Sequence, residues 1–310
     1  MIEAAGLTKT YGTVRAVDDL SFTVEPGRVT GFLGPNGSGK STTLRMIMGL
    51  DRPDRGTATI DGRSYDGIGF PLREVGALLE SKAVHPSRTA YSHLCWLAAS
   101  NQLPRRRIDE VLALTGLESV AHRRAKGFSL GMAQRLGVAA AMLGDPAVLI
   151  LDEPVNGLDP EGIRWIRQLT RRLADEGRTI LVSSHLMSEM ALTADHVIVV
   201  GRGRLIADTS IKDLVADNST SRVRLVTPDA EELQPALTTS GATVEADGDS
   251  LVVTGMVASE IGEIARHNGC AIHQLVTERA SLEDAFMNLT HNSVEYRAVD
   301  EAEPIKESVA

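Results

Sequence analysis

Cysteine is nearly missing from this chain. Cys95 and Cys270 are the two it has, far apart and without the spacing of a metal site. That excludes a disulfide-framed secreted scaffold and fits thiols kept reduced in a cytosol. Long apolar runs are missing too: the longest, LGVAAAMLG at 136–144, is about half of the ~20 residues a membrane span needs. The first residues, MIEAAGLTKTYG, have neither the basic start nor the apolar stretch of a secretion signal. Basic residues are not in excess, with 32 Lys and Arg against 41 Asp and Glu and a formal net charge of −9. A general nucleic-acid binder carries a basic surface, so no nucleic acid is expected as the main partner. No internal repeat is visible. The chain is expected to be cytosolic by itself and to work at a membrane only by docking onto something else.

What is present is a phosphate-handling loop in a long chain. The 310 residues, 43% of them apolar, suit one large domain plus a smaller one. IEAAGLTKTYG and VRAVDDLSFTVEPGRVTGFLG alternate apolar and polar residues, broken at Gly12 and Pro26-Gly27, and read as strands. VTGFLG runs into a glycine loop, and STTLRMIMGL after it has helical spacing. The stretch from about 70 to 135, LREVGALLE included, reads as mostly helical. AVLILDEP then reads as a buried parallel strand, RWIRQLTRRLADEG as an amphipathic helix, TILVSSH as a strand and HVIVVGRGRLIAD as a hairpin. Strands alternating with helices imply an α/β sheet. Near 218 the composition shifts at DNSTS, and the remainder follows the order βαββαβ, with SLEDAFMNLT as its last helix. That order predicts a small ferredoxin-like α+β domain over 218–291. The tail 292–310 is expected to be disordered.

The loop itself, Gly34-Pro35-Asn36-Gly37-Ser38-Gly39-Lys40-Ser41, fits G-x-x-x-x-G-K-[ST] between a strand and a helix. Glycines let backbone N–H groups turn inward around phosphates, and the helix N-terminus adds a positive end. Lys40 can reach the terminal phosphates, the Ser41 hydroxyl can hold Mg²⁺, and Thr42 can donate to a phosphate oxygen. Such a loop needs a second handle on the metal. Asp152, at the end of the apolar strand Val148–Leu151, can supply it. Glu153 is placed to polarise an attacking water as general base.

These features leave the type of machine open until Phe128-Ser129-Leu130-Gly131-Met132, followed by Ala-Gln-Arg and then by AVLILDE. This stretch resembles the LSGGQ signature of the ATP-binding-cassette (ABC) ATPases, and its spacing to Asp152 matches. Tyr11, before Gly12, is similar to that family's aromatic platform for adenine. Asn156-Gly-Leu-Asp159 is similar to its D-loop, and His185 to its switch histidine. The resemblance covers about residues 3–215. It implies a P-loop NTPase cassette over 1–217, with a mixed sheet core, an antiparallel β part and a helical subdomain at about 81–135. It also implies ATP and Mg²⁺ as cofactors, ATP hydrolysis as the activity, and a homodimer or cassette pair with two nucleotides sandwiched head to tail. Ser129, Leu130, Gly131 and Met132 would then face the ATP held by the partner, with Asp159 at the seam.

Two departures refine the resemblance. Glu80 stands where the family usually has a glutamine that touches Mg²⁺ and water. Leu130 and Met132 replace a glycine and a glutamine of the signature. Both features, with the C-terminal SLEDAFMNLT, resemble the ATPases of daunorubicin- and bacitracin-resistance exporters. An export subunit is therefore expected, peripheral at the cytoplasmic face of the cell membrane and bound to a separate permease. The alternative is a soluble cassette protein of translation or DNA repair. Against it stand the single cassette, the absence of a coiled coil between Lys40 and Asp152, and the acidic balance. The region 81–103 is where the family meets its permease. Arg105–Arg107, Arg123-Arg124 and the arginines 164, 167, 171 and 172 read as solvated helix faces. Trp96 and Trp165 read as core or interface.

Overall fold

Alternation along the first strands decides how they pair. Ile2, Ala4 and Leu7 of β1 (Ile2–Tyr11) and Leu20, Phe22 and Val24 of β2 (Val14–Val24) are buried, while their neighbours face outward. In this computed structural model, which describes residues 1–80, 84–217, 222–248 and 250–278, β1 lies between β2 and β4 (Arg55–Ile60), antiparallel to both. A second sheet has six strands: β3 (Val29–Leu33), β5 (Val75–Leu78), β6 (Val148–Leu151), β7 (Thr179–Ser184), β8 (His196–Gly201) and β9 (Arg204–Ser210). Their order is β5-β6-β7-β3-β8-β9, parallel from β5 through β8, with β9 antiparallel at the edge. Every residue of β3, β6 and β7 is buried, as in a parallel sheet covered on both faces.

Neighbouring residues of these strands feed opposite layers. Leu149 and Leu151 join the apolar cluster shared with the helices α2 (Ala90–Ser100), α3 (Arg106–Thr115), α4 (Leu130–Ala141) and α5 (Pro160–Asp175). Val148 and Ile150 join the cluster on the other face, with α1 (Lys40–Ile47) and the β1–β2–β4 sheet. There the rings of Phe22 and Phe32 lie 5.3 Å apart. Two short helices, α6 (Met187–Thr193) and α7 (Ile211–Asp217), flank β8 and β9. Because β3 lies beside β7, which lies beside β6, the segments leaving these strands converge at one edge of the sheet.

The structure corrects the helical reading of 70–80. Pro71–Arg73 form one 3₁₀ turn and Val75–Leu78 form β5, paired with β6. A four-residue apolar run has no period of its own, so its pairing partner decides its state. Gly76 shows the constraint. A Cβ there would lie 2.1 Å from the Ala141 carbonyl oxygen. Gly76→Ala should therefore destabilise the protein by about 1–3 kcal/mol, despite the ~0.4–1 kcal/mol such changes gain through the unfolded chain. Thermal unfolding should show it as a drop of roughly 2–4 °C per kcal/mol; an unchanged midpoint would refute the close packing.

Among the arginines, Arg107 does not lie on a solvated face. Its guanidinium donates to the carbonyls of Leu143 and Met142 at 3.1 and 3.0 Å, tying α3 to the end of α4. Arg167 is likewise tied, donating to Glu189 at 2.8 Å. Trp96 is 55% exposed beneath Arg88, whereas Trp165 is half-buried under Arg135.

Beyond residue 221 comes a four-stranded sheet of β10 (Arg222–Val226), β11 (Thr243–Asp247), β12 (Ser250–Thr254) and β13 (Gln274–Glu278). Its order is β11-β12-β10-β13, antiparallel throughout. With α8 (Ala230–Thr239) and α9 (Ala258–Asn268) it encloses its own cluster, including Val223, Leu233, Val253 and Ile261. Most of DNSTS, the expected helix SLEDAFMNLT and the tail 292–310 lie outside the described residues. No helix among the described residues is long and apolar enough to cross a membrane.

Candidate active site

The glycine loop is wedged between β2 and β8. A Cβ at Gly39 would lie 2.4 Å from the Ala16 carbonyl, and one at Gly34 would lie 2.4 Å from both the Val200 carbonyl and the Ser38 hydroxyl. Gly37 and Gly39 also hold left-handed backbone, at φ 81° and 97°. Gly203, in the β8–β9 turn, donates its N–H to the Ser38 carbonyl at 3.1 Å. The loop is thus fixed at both ends where it turns into α1. No side chain caps α1, and its first turn carries no acid, which leaves its positive end open to an anion.

Lys40 folds back over the loop. Its Nζ donates to the carbonyls of Gly34 and Pro35 at 2.6 and 3.2 Å, and the residue is 7% exposed. Burial pushes its ammonium below the usual lysine range, while the charges of Glu153 and Asp152 pull the other way. An anionic ligand in the loop would offset that desolvation.

The acids arrive from the end of β6. Asp152 Oδ2 accepts from the Ser41 hydroxyl at 2.9 Å. Its Oδ1 accepts from the hydroxyl of Ser183 on β7, and the Ser183 oxygen accepts from the Glu153 N–H at 2.9 Å. Glu153 sits at φ 50° in left-handed backbone. Its Oε2 is 2.8 Å from His185 Nδ1. Ser41, Asp152, Glu153 and His185 are therefore brought together at one edge of the sheet.

Tyr11 and Glu80 stand further out. Tyr11 is 47% exposed, and its hydroxyl donates to Asp51 Oδ2 at 2.8 Å. That bond raises the phenol above its ordinary pKa. Arg45 on α1 also donates to Asp51 Oδ2, at 2.8 Å, and Asp51 is held below the usual carboxylate range by Arg45 first and Tyr11 second. Glu80, exposed beyond β5, lines a cavity of about 420 Å³ with Arg45, Tyr65 and His93. Asp51 foremost, with a smaller push from Glu80, raises the Arg45 guanidinium. Among the described residues Glu80 makes no hydrogen bond with Ser41 or Asp152.

The signature residues lie at the start of α4. Ser129 is its N-cap, the hydroxyl oxygen accepting from the Met132 N–H at 3.1 Å. Leu130 is 47% exposed and leans over Gly157, where a Cβ would come within 2.3 Å of it. Asp159 caps α5, its Oδ1 accepting from the Gly162 N–H at 2.8 Å. Among the described residues the exposed Ser129 hydroxyl donates to no acceptor.

These residues fit a nucleotide with a divalent cation. The loop admits no Cβ at Gly34 or Gly39, α1 presents an uncapped N-terminus, and a hydroxyl faces a carboxylate across the loop's mouth. Ser41 and Asp152 are the oxygen donors suited to Mg²⁺. Sequence reasoning passed over Ser183, Asp51 and Gln134, whose side-chain Nε2 donates to the Glu153 carbonyl at 3.0 Å. Ser183 and Gln134 stood inside the stretches SSH and Ala-Gln-Arg, but their partners are remote in sequence.

Residues 17–156 match the family model described as ABC transporter, and 221–283 match a domain of unknown function, DUF8746. The chain is similar to the ABC transporter ATP-binding protein YhcH of Bacillus subtilis, at 36% identity over 95% of this chain and 97% of that one. It is similar to the bacitracin transport ATP-binding protein BcrA of Bacillus licheniformis, at 40% identity over 70% and 72% of the two chains. Among solved structures, an ATP binding subunit of an ABC transporter matches with TM-score 0.65 and 28% identity, over 70% of this chain and 92% of that one.

Proposed function

This chain belongs to the ABC transporter ATP-binding family, and on that premise we propose that it is the ATP-hydrolysing subunit of an exporter for a drug, antibiotic or lipid-like molecule. The relatives named for transport favour this reading over a soluble cassette of translation or repair. A separate integral-membrane permease would carry the substrate and hold this subunit at the cytoplasmic face of the cell membrane. The observation that supports the reading most is the hydrogen-bonded set Ser41–Asp152–Ser183–Glu153–His185 beside the phosphate loop.

In this reading each residue has one task. The loop amides of 34–39 and Lys40 hold the β- and γ-phosphates, Thr42 adds a donor, and the Tyr11 ring stacks on the base. Ser41 and Asp152 would hold Mg²⁺, with Glu80 as a further, more distant acid. The cation, when bound, supplies neutralisation of charge on the phosphate oxygens. Glu153 takes the proton of the attacking water at a carboxylate oxygen, and His185 orients that carboxylate through Oε2. Ser129 and Gly131, flanked by Leu130 and Met132, meet the γ-phosphate held by a second cassette, and Asp159 sits at the seam. The residues beyond 221 form an accessory unit with its own core.

The reading is tested by isolating the tagged chain from its own cells and asking whether an integral-membrane protein co-purifies with it. A membrane-bound complex whose Mg²⁺-dependent phosphate release responds to the permease is expected. Sedimentation with ribosomes or DNA, and none with membranes, would overturn it.

A further inference from the structure

Glu153 is held at both ends of its peptide. Its N–H donates to Ser183 on β7, and its carbonyl accepts from Gln134 Nε2 at 3.0 Å and from the Asn156 N–H at 3.2 Å. Left-handed backbone at φ 50° is unfavourable for a residue with a side chain, and it persists only where neighbours enforce it. Gln134 is 3% exposed, so its amide has little other use than this bond.

Gln134 sits one turn along α4 from Leu130, on the same face of the helix. That face meets the segment after β6 twice. Gln134 grips Glu153, and one turn earlier Leu130 and Gly131 press on Gly157. Cβ atoms built at Gly157 and Gly131 would lie 2.3 Å from Leu130 and 3.0 Å from the Gly157 carbonyl. Residues 153–157 are therefore held to α4 at two points.

We propose that Gln134 is a positioning residue that sets the Glu153 backbone, and so its carboxylate, according to where α4 stands. The inference rests on the reading above, in which the Ser129 end of α4 meets the nucleotide of a second cassette. A nucleotide docked against one subunit's α4 then aligns the base of that same subunit for its own nucleotide, and the Gln134 amide, beside the Leu130–Gly157 contact, links the two hydrolytic sites.

The test uses the purified full chain with Gln134→Leu, which keeps the volume and removes the donor, and Gln134→Met as a more adaptable filler. Should the leucine variant fail to give a folded protein by circular dichroism, the methionine variant decides. The expected result is kcat lower by about 10- to 100-fold, the scale of a small misplacement of a catalytic group, with KM for ATP within about twofold of the parent. In a Glu153→Gln background, Gln134→Leu should still give ATP-dependent dimers on gel filtration. A parental kcat, or a KM that rises as kcat falls, would overturn the inference. Undiminished turnover by Glu153→Gln alone would instead sink the assignment of the base. An inactive Glu153→Gln beside a fully active Gln134→Leu would sink this inference alone.

Discussion

Glu153→Gln is expected to lower ATP turnover by about 10²–10⁴-fold, the usual contribution of a positioned general base, while ATP still binds and holds two copies together. The geometry separates these effects. The contacts that fix residue 153 are made by its backbone, to Ser183, Gln134 and Asn156, and a glutamine keeps all of them. An amide can also remain bonded to His185 in place of Oε2, which lies 2.8 Å from Nδ1. The substitution thus removes the proton acceptor and little else. Phosphate release measured against the parent, with gel filtration in ATP, checks both halves. Turnover above about a tenth of the parent would exclude Glu153 as the base on that scale. A variant that binds ATP but elutes as monomer would exclude the sandwich.

The second large effect is expected at Lys40. Lys40→Met should weaken ATP binding by about 2–5 kcal/mol, the range for truncating one partner of a buried charged pair. That is roughly 30-fold or more in Kd. The lysine stem is buried and its Nζ is already aimed across the loop by the Gly34 and Pro35 carbonyls, so little ordering is left for the ligand to impose. Methionine fills much of the same apolar space, which keeps the fold while removing the charge. Titration with a fluorescent ATP analogue, alongside circular dichroism, checks it. Near-parental affinity in a folded variant would show that the loop amides and the α1 terminus suffice without Lys40.

How much of the fold and site is legible in the sequence depends on how far each contact reaches along the chain. The phosphate loop can be read because its working atoms are consecutive. AVLILDE can be read because one short window holds both the wholly apolar strand and the two acids at its end. The β8–β9 hairpin and the βαββαβ order are legible for similar local reasons. β5 is not, since VGAL has no periodicity and becomes a strand because β6 offers it a partner. The supporting side chains are harder still. Gln134 reaches a carbonyl 19 positions away, Ser183 a carboxylate 31 away, and Tyr11 an acid 40 away. No window along the sequence contains both ends of those bonds.

Arg45 carries a consequence for substitutions at the two acids around it. One guanidinium balances Asp51, which fastens the exposed tyrosine ring, and also feels Glu80 at the mouth of the neighbouring cavity. Swapping either acid for a neutral residue would alter the electrical surroundings of the other. In the proposed reading, where Tyr11 stacks on the base, a change at either acid is therefore felt at the other through Arg45.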